Sequence, residues 1–431
     1  MKVRVIGAGL AGVEAAYYLL KKGYHVDLYE MRPKVMTPAH QTGRFAELVC
    51  SNSLRSNDIH NAVGLLKEEM RMLDSIVMQA SVPASVPAGS SLAVDRTVFS
   101  SFIEEKLHQF KHLQVIQEPF ETIDQDIPTI IATGPLTTKT LMHTIGSLTH
   151  EDVLHFFDAV APIISYDSIN MDICYKKSRY DKGDADYINC PMDKESYQAF
   201  YDKLMASDKV EIKAFENNVF EGCMPVETMA ERGIDTLRFG PLKPVGLERH
   251  EGDRPYAVIQ LRQDDVASSM YNIVGFQTHL TWPAQKALIQ SIPGLEKAHI
   301  IRYGVMHKNH YIHSPEVLNA GYQMRQYPHL FIAGQLSGVE GYVESAASGL
   351  CAAIQLDLFL KQGTIQPLPT YTMMGAMAHY VSSKNKSFVP MNANFGLFDT
   401  PTKKMRKQEK RVYYAEQSIH AITRFKEEVI H

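Results

Sequence analysis

The sequence has no C-x-x-C pair, and its five cysteines (Cys50, Cys174, Cys190, Cys223 and Cys351) are an odd number. That argues against a disulfide framework and against a zinc site, so no metal is expected. No apolar run approaches the ~18 residues of a membrane span. The chain opens directly on a strand pattern without a signal peptide, and a reducing cytoplasm is the expected compartment. Neither sign of charge dominates: 44 Lys and Arg face 48 Asp and Glu, for a formal net charge of −4. Composition therefore carries no nucleic-acid signal, and any RNA site must be a local patch. Internal repeats and low-complexity tracts are absent as well. What remains is a globular composition, 45% hydrophobic over 431 residues, long enough for two or three domains.

Against that background, two glycine-rich segments stand near opposite ends. Val3, Val5 and Ile6 read as a buried parallel strand. Gly7-Ala8-Gly9-Leu10-Ala11-Gly12 follows at G-x-G-x-x-G spacing. In that motif the first glycine allows the tight turn, the second lets backbone approach a pyrophosphate, and the third lets helix and strand pack closely. A helix from Leu10 to Lys22 then points its N-terminal N–H groups at the phosphates, and Gly23 ends it. The strand His25–Tyr29 leads to Glu30, whose carboxylate is placed to accept bonds from a ribose hydroxyl, with Arg32 beside it. Glu14, on the first helix, faces either the ligand or solvent, with the ligand favoured.

The second segment is Leu330–Ala353. A short strand runs into Gly334 and Gln335, then a turn with Gly338 and Gly341, then a helix from about Tyr342. Ser345, Ala346, Ala347, Ser348 and Gly349 give that helix a slim face for close packing. Gln335 stands where two-segment flavoproteins often carry Asp. Its amide can still bond ribityl or phosphate oxygens. A third piece, Thr129–Gly134 followed by Pro135, resembles the strand-end turn found beside flavin nucleotides. Together these predict FAD and an α/β, Rossmann-like FAD-binding fold of glutathione-reductase type, interrupted by an inserted α+β domain. The expected division is 1–165 for the first FAD segment, 166–300 for a substrate domain and 301–431 for the second FAD segment. Asn61–Met78 has apolar residues at helical spacing, Ser81–Gly89 reads as a loop, and turns are expected at Gly183, Gly222 and Gly233. A final helix from about Lys403 carries Lys403, Lys404, Arg406, Lys407, Lys410 and Arg411, either as a solvated face or as a polyanion contact.

Two cysteines stand apart by their neighbours. Cys50 lies in FAELVCSNSLR among polar residues, with Arg55 able to lower its pKa if close. Cys223 lies in FEGCMPVE, on a turn that displays its side chain. Cys174, Cys190 and Cys351 read as small buried hydrophobes. Two thiols near one flavin suggest a redox pair, or nucleophilic and acid–base work.

MRPxxxTPAHxT (Met31–Thr42), FAELVCSNSLR, NAVGLLKEEMR, SVPAGxxLAVDR, SRYDKG, NCPM, FEGCMP, DTLRFGPLKPVGL, NIVGFQTHL, GQLSGVEGYVESAASG and PMNANFG occur in this order over almost the whole chain. In these runs the sequence resembles the folate- and FAD-dependent uracil-5 methyltransferases of bacterial tRNA. The resemblance implies transfer of a methylene group from 5,10-methylenetetrahydrofolate, through reduced FAD, to carbon 5 of a T-loop uracil, with NADPH or NADH as reductant. It implies that Cys50 and Cys223 are catalytic, one adding to uracil carbon 6 and the other removing the carbon-5 proton. Cys223 is favoured as nucleophile and Cys50 as its partner near the flavin. It places His279 against the pterin and makes Arg238, Lys243 and the basic C-terminal helix RNA contacts. Trp282, the only tryptophan, is then a core anchor or part of the pterin platform.

The chain departs from the family pattern at Asp265, Ser268-Ser269, His310, His313 and residues 108–128. A paralogue acting on 23S rRNA would keep the same chemistry. Other readings are the FAD protein that modifies a wobble uridine with a partner GTPase, an NAD(P)H–flavin oxidoreductase, and a scaffold that only retains FAD.

Overall fold

The computed structural model describes residues 1–149, 154–181, 184–210, 224–250, 252–385, 388–401 and 405–430. Five parallel strands form one sheet in the order Leu330–Ile332, Thr129–Ile131, Lys2–Ile6, His25–Tyr29, Leu113–Ile116. Val3, Val5, Val26, Leu28, Ile130 and Phe331 are fully buried, as strands covered on both faces must be. The strands finish level with one another: Ile6 pairs with Tyr29 and Ile131, and Ile131 with Ile332. The glycine turns leave from this common carboxyl edge, where open α/β sheets bind ligands.

Helix Leu10–Lys21 follows the first strand and stops one residue short of the expected end, with Gly23 at φ +83 just beyond it. Helix Tyr342–Gln362 packs across it. A methyl built on Gly349 would lie 2.1 Å from the Ala11 carbonyl oxygen, so only glycine permits this crossing. The 21-residue helix is apolar enough to cross a membrane, yet 83% of its most apolar stretch is buried inside the fold. It is a core helix.

The helical pattern over Asn61–Met78 resolves into two helices, Ala62–Met72 and Ile76–Ser81, with Asp74 at φ 63 between them. The break corrects the reading of Glu14. Its carboxylate does not face a ligand. It is buried and accepts bonds from Ser75 Oγ, Ile76 N (3.3 Å) and Val77 N (3.0 Å), capping the second helix. Glu69 does the same for helix Met373–Ser382, accepting from Met373 N (2.6 Å), Met374 N (2.8 Å) and Ser418 Oγ. Orphan N–H groups at a helix start favour a carboxylate, but full burial wins and pushes both groups up to about 7. The stretch expected as a loop over Ser81–Gly89 contains a short strand, Ser85–Val86, paired with Ser91–Val94.

A second sheet is antiparallel, in the order Tyr175–Lys176, Tyr187–Met192, Ala257–Gln263, Met270–Ile273, Ile163–Ser165, Ile300–Arg302. Among the described residues its buried apolar core runs from Ile164 to Ala298. The chain leaves and re-enters the flavin-type fold through an antiparallel ribbon, Leu154–Ala159 against Met306–Tyr311. Gly233 sits at φ +133 in a turn, while Gly183 and Gly222 lie outside the described residues. The last helix is Lys407–Phe425, a turn later than expected, with the Glu409 carboxylate accepting from Arg406 N. Lys403 and Lys404 lie outside the described residues.

Glu14 and Glu69 keep protons in the fold that an ordinary carboxyl, near 4.5, has already released. Their stabilising effect is full below about pH 4.5 and is lost as pH rises through about 7. The E14Q/E69Q double variant should therefore gain stability relative to the parent between about pH 5 and pH 8, by on the order of 5 kcal/mol for the two groups together. Urea unfolding across that range checks this, and parallel stability curves would contradict it.

Candidate active site

A cleft with about 1030 Å³ of open volume lies at the carboxyl edge of the parallel sheet. Gly7, Gly9, Leu10 and Ala11 line it from the first turn, Glu30 and Arg32 from the second strand, Ala132, Thr133 and Gly134 from the third, and Gly334, Gln335 and Tyr342 from the last segment. Ala8, Gly12 and Gly341 shape the cleft from behind. Ala8 N–H donates to Glu30 Oε2 at 3.0 Å. A methyl on Gly12 would lie 1.7 Å from the Gly7 carbonyl oxygen, and one on Gly341 2.4 Å from Glu344 Oε2.

The cleft fits a dinucleotide. A methyl built on Gly9 or Gly134 meets nothing within 4 Å, so both backbones face open space. The first N–H groups of helix Leu10–Lys21 have no acceptor within the helix and point the positive end of its dipole at the cleft. Glu30 is clamped: Arg32 donates to it from N (3.0 Å), Nε (2.8 Å) and Nη2 (3.1 Å), and reaches Glu47 at 3.1 Å. Burial would raise the Glu30 carboxyl, but Arg32 and the Ala8 N–H outweigh it and hold it below the ordinary carboxylate range. Arg32 thus fixes the acid as an acceptor. The Gln335 amide donates to Glu340.

Tyr342 joins the cleft to the first cysteine. Its hydroxyl accepts the N–H of Cys50 (2.6 Å) and of Ser51 (3.1 Å). Cys50 is half-buried, with Sγ 3.8 Å from the Ala159 carbonyl oxygen. Arg55 does not serve the thiol. Its guanidinium pairs with the buried Glu344 carboxylate. Three other arginines supply the positive charge here, and sequence reasoning missed them. Arg302 Nη2 donates to the Val49 carbonyl at 2.7 Å, Arg262 Nε to Asn52 Oδ1 at 3.0 Å, and Arg96 Nη1 to Asp264 Oδ2 at 2.8 Å. Arg96 Nε, Arg96 Nη2 and Asp264 Oδ1 are buried without a partner among the described residues. Burial lifts the Asp264 carboxyl against the pull of Arg96, Arg262 and Arg302. Arg96 ends the run SVPAGxxLAVDR, whereas Arg262 and Arg302 lie outside the quoted runs, and nothing in the spacing brings the three together.

A family model described as glucose inhibited division protein A matches residues 2–364. The methylenetetrahydrofolate--tRNA-(uracil-5-)-methyltransferase TrmFO of Acholeplasma laidlawii is 60% identical over 98% of this chain and 99% of its own. That of Listeria monocytogenes is 56% identical over 99% of each. The chain belongs to this methyltransferase family. Aquifex aeolicus GidA shares the fold, with a TM-score of 0.71 over 99% of this chain and 73% of that one at 15% identity. The Rossmann-like FAD-binding architecture expected from the glycine segments is therefore present.

In this methyltransferase Cys223 lies outside the described residues. Its described neighbour Val226 donates its N–H to the Gln277 carbonyl at 2.7 Å. His279 is buried, with Nδ1 2.7 Å from Glu227, whose carboxylate also takes the His279 N–H at 2.6 Å. Trp282 is not a core anchor: it is 59% exposed. Arg238 is committed locally, donating to Asp235 at 2.6 Å and lying 3.5 Å from the centre of the Tyr256 ring. Lys243 is half-buried. Asp265 closes a turn by accepting from Ser269 N, Ser269 Oγ and Met270 N, so the departures there are turn chemistry. Cys351 is buried and its thiol is pushed up to about 12. Cys174 and Cys190 are also buried, with their sulfurs 3.5 Å apart.

Tyr342→Phe keeps the aromatic wall and removes the acceptor for two backbone N–H groups. The expected cost is about 1–3 kcal/mol with FAD still bound, measured by thermal unfolding and visible flavin absorbance. Loss of flavin with unchanged stability would contradict the assignment.

Proposed function

We propose that the protein methylates carbon 5 of a uracil in tRNA, using 5,10-methylenetetrahydrofolate and FAD reduced by NADPH or NADH, in the cytoplasm where tRNA matures. The observation that carries this reading is that Tyr342 is both a wall of the dinucleotide cleft and the acceptor for Cys50 N–H. A motif thiol and the flavin cleft therefore belong to one site. Gly7, Gly9, Leu10 and Ala11 would hold the pyrophosphate, Glu30 a ribose, and Gln335 the ribityl or phosphate oxygens. FAD held by these residues would supply the reducing electrons for the carbon transfer.

The protein's own work is on the uracil. Carbon 5 is a weak nucleophile until a thiolate adds to carbon 6, which places an electron pair on carbon 5 and the carbon-4 oxygen. Cys223 takes this role. After carbon transfer a base removes the carbon-5 proton and the thiolate leaves, and Cys50 takes that role. Arg96, Arg262 and Arg302 would stabilise the enolate oxygen in a site where little water competes. His279, oriented by Glu227, would contact the pterin. Lys243 and the start of helix Lys407–Phe425 would meet RNA phosphates, which position the RNA without reading its sequence.

The test offers unmodified tRNA and 23S rRNA in parallel to the FAD-loaded enzyme with methylenetetrahydrofolate and NADPH. Methyl transfer to a T-loop uracil of tRNA is expected, and transfer to rRNA alone would redirect the proposal to the ribosome. With 5-fluorouracil tRNA, C223A should lose the covalent adduct. C50A should keep it while turnover falls roughly 10²–10⁴-fold. The reverse pattern would exchange the two roles.

A further inference from the structure

Trp282 is the only tryptophan in the chain, and it spends its large apolar surface in solvent. It opens helix Trp282–Ile289. Its indole stacks on Tyr303 with ring centres 5.1 Å apart and planes inclined by 12°. Tyr303 lies against one face of the indole, and Trp282 is nevertheless 59% exposed.

The stack is held rigidly. The buried Gln285 amide donates to the Leu280 carbonyl (2.7 Å) and the Gly304 carbonyl (2.9 Å), and its oxygen accepts the Gly304 N–H (2.8 Å). That locks the helix start to the segment carrying Tyr303. The same segment reaches the thiol site on one side, because Arg302 holds the carbonyl of Val49, the residue before Cys50. On the other side Gln277, five residues before Trp282, receives the N–H of Val226, three residues after Cys223. One helical turn beyond Trp282, Lys286 is exposed and makes no ion pair with any described residue.

We infer that the Trp282–Tyr303 stack receives an unpaired nucleobase of the RNA beside the target uracil, with Lys286 meeting a phosphate. This rests on the tRNA reading above. A preorganised aromatic face next to a free cation suits a base and its phosphate. A pterin is the competing occupant, and the titrations below separate it from a base.

The single tryptophan makes the native protein its own probe. Unmodified tRNA titrated into the FAD-loaded enzyme should change the tryptophan emission, saturating where a gel shift saturates. W282A should raise the Kd for tRNA roughly 5- to 100-fold with FAD content and the KM for methylenetetrahydrofolate unchanged, and W282F should recover most of the affinity. Binding of tRNA with unaltered emission, or wild-type affinity in W282A, overturns the inference while leaving the functional reading intact. Emission that responds to methylenetetrahydrofolate and not to tRNA assigns the stack to the pterin and likewise overturns it. Absence of any tRNA gel shift defeats the functional reading and this inference together.

Discussion

The crossing of helix Leu10–Lys21 with helix Tyr342–Gln362, at the point where Gly349 meets the Ala11 backbone, is the constraint on which the rest of this structure depends. It brings the two glycine-rich turns to one edge of the parallel sheet. Without it the Leu330–Ile332 strand has no helix to cover it, and the cleft has only one wall. Tyr342, the first residue of the crossing helix, then faces both the cleft and the loop of Cys50. The position of a candidate catalytic thiol thus follows from a contact between backbones, where a single added methyl would intrude. Packed interiors leave no slack for such an addition.

Around that crossing the fold uses buried charge in two ways. Glu14 and Glu69 are internal caps: each ties a helix start to a distant helix and gives up its charge to do so. Arg96, Arg262, Arg302 and Asp264 instead keep a net positive surrounding close to Cys50, with some donors unpaired among the described residues. Burying charge without full pairing is costly, and such a cost is expected at functional sites, where local rules are broken for chemistry.

The glycine turns, the strands around them and the helix at Tyr342 were legible in the sequence because each rests on local spacing. Glu30 was legible as the acid at a strand end, but its clamp by Arg32 was only half visible, as proximity in sequence. Glu14 was misread because helical periodicity tells which face a residue occupies and not what lies opposite. The break between Met72 and Ile76 hid for the same reason, since both halves share one apolar rhythm. Arg96, Arg262 and Arg302 come from three segments that meet only through tertiary packing. The environment of Trp282 was also beyond reach, because a lone tryptophan looks the same whether it anchors a core or faces water.

The place of Thr129–Ile131, second from one edge of the sheet, has a consequence for synthesis. The strand that covers its outer edge is not made until some two hundred residues later. A nascent chain therefore carries an open edge of unpaired N–H and C=O groups through the whole time the antiparallel sheet is being made. Such an edge invites pairing with the wrong partner. The ribbon Leu154–Ala159 with Met306–Tyr311 shortens this exposure at its end, because it returns the chain beside its point of departure just before the missing strand emerges. The cofactor cleft is consequently among the last features the ribosome completes, and flavin loading follows synthesis of nearly the entire polypeptide.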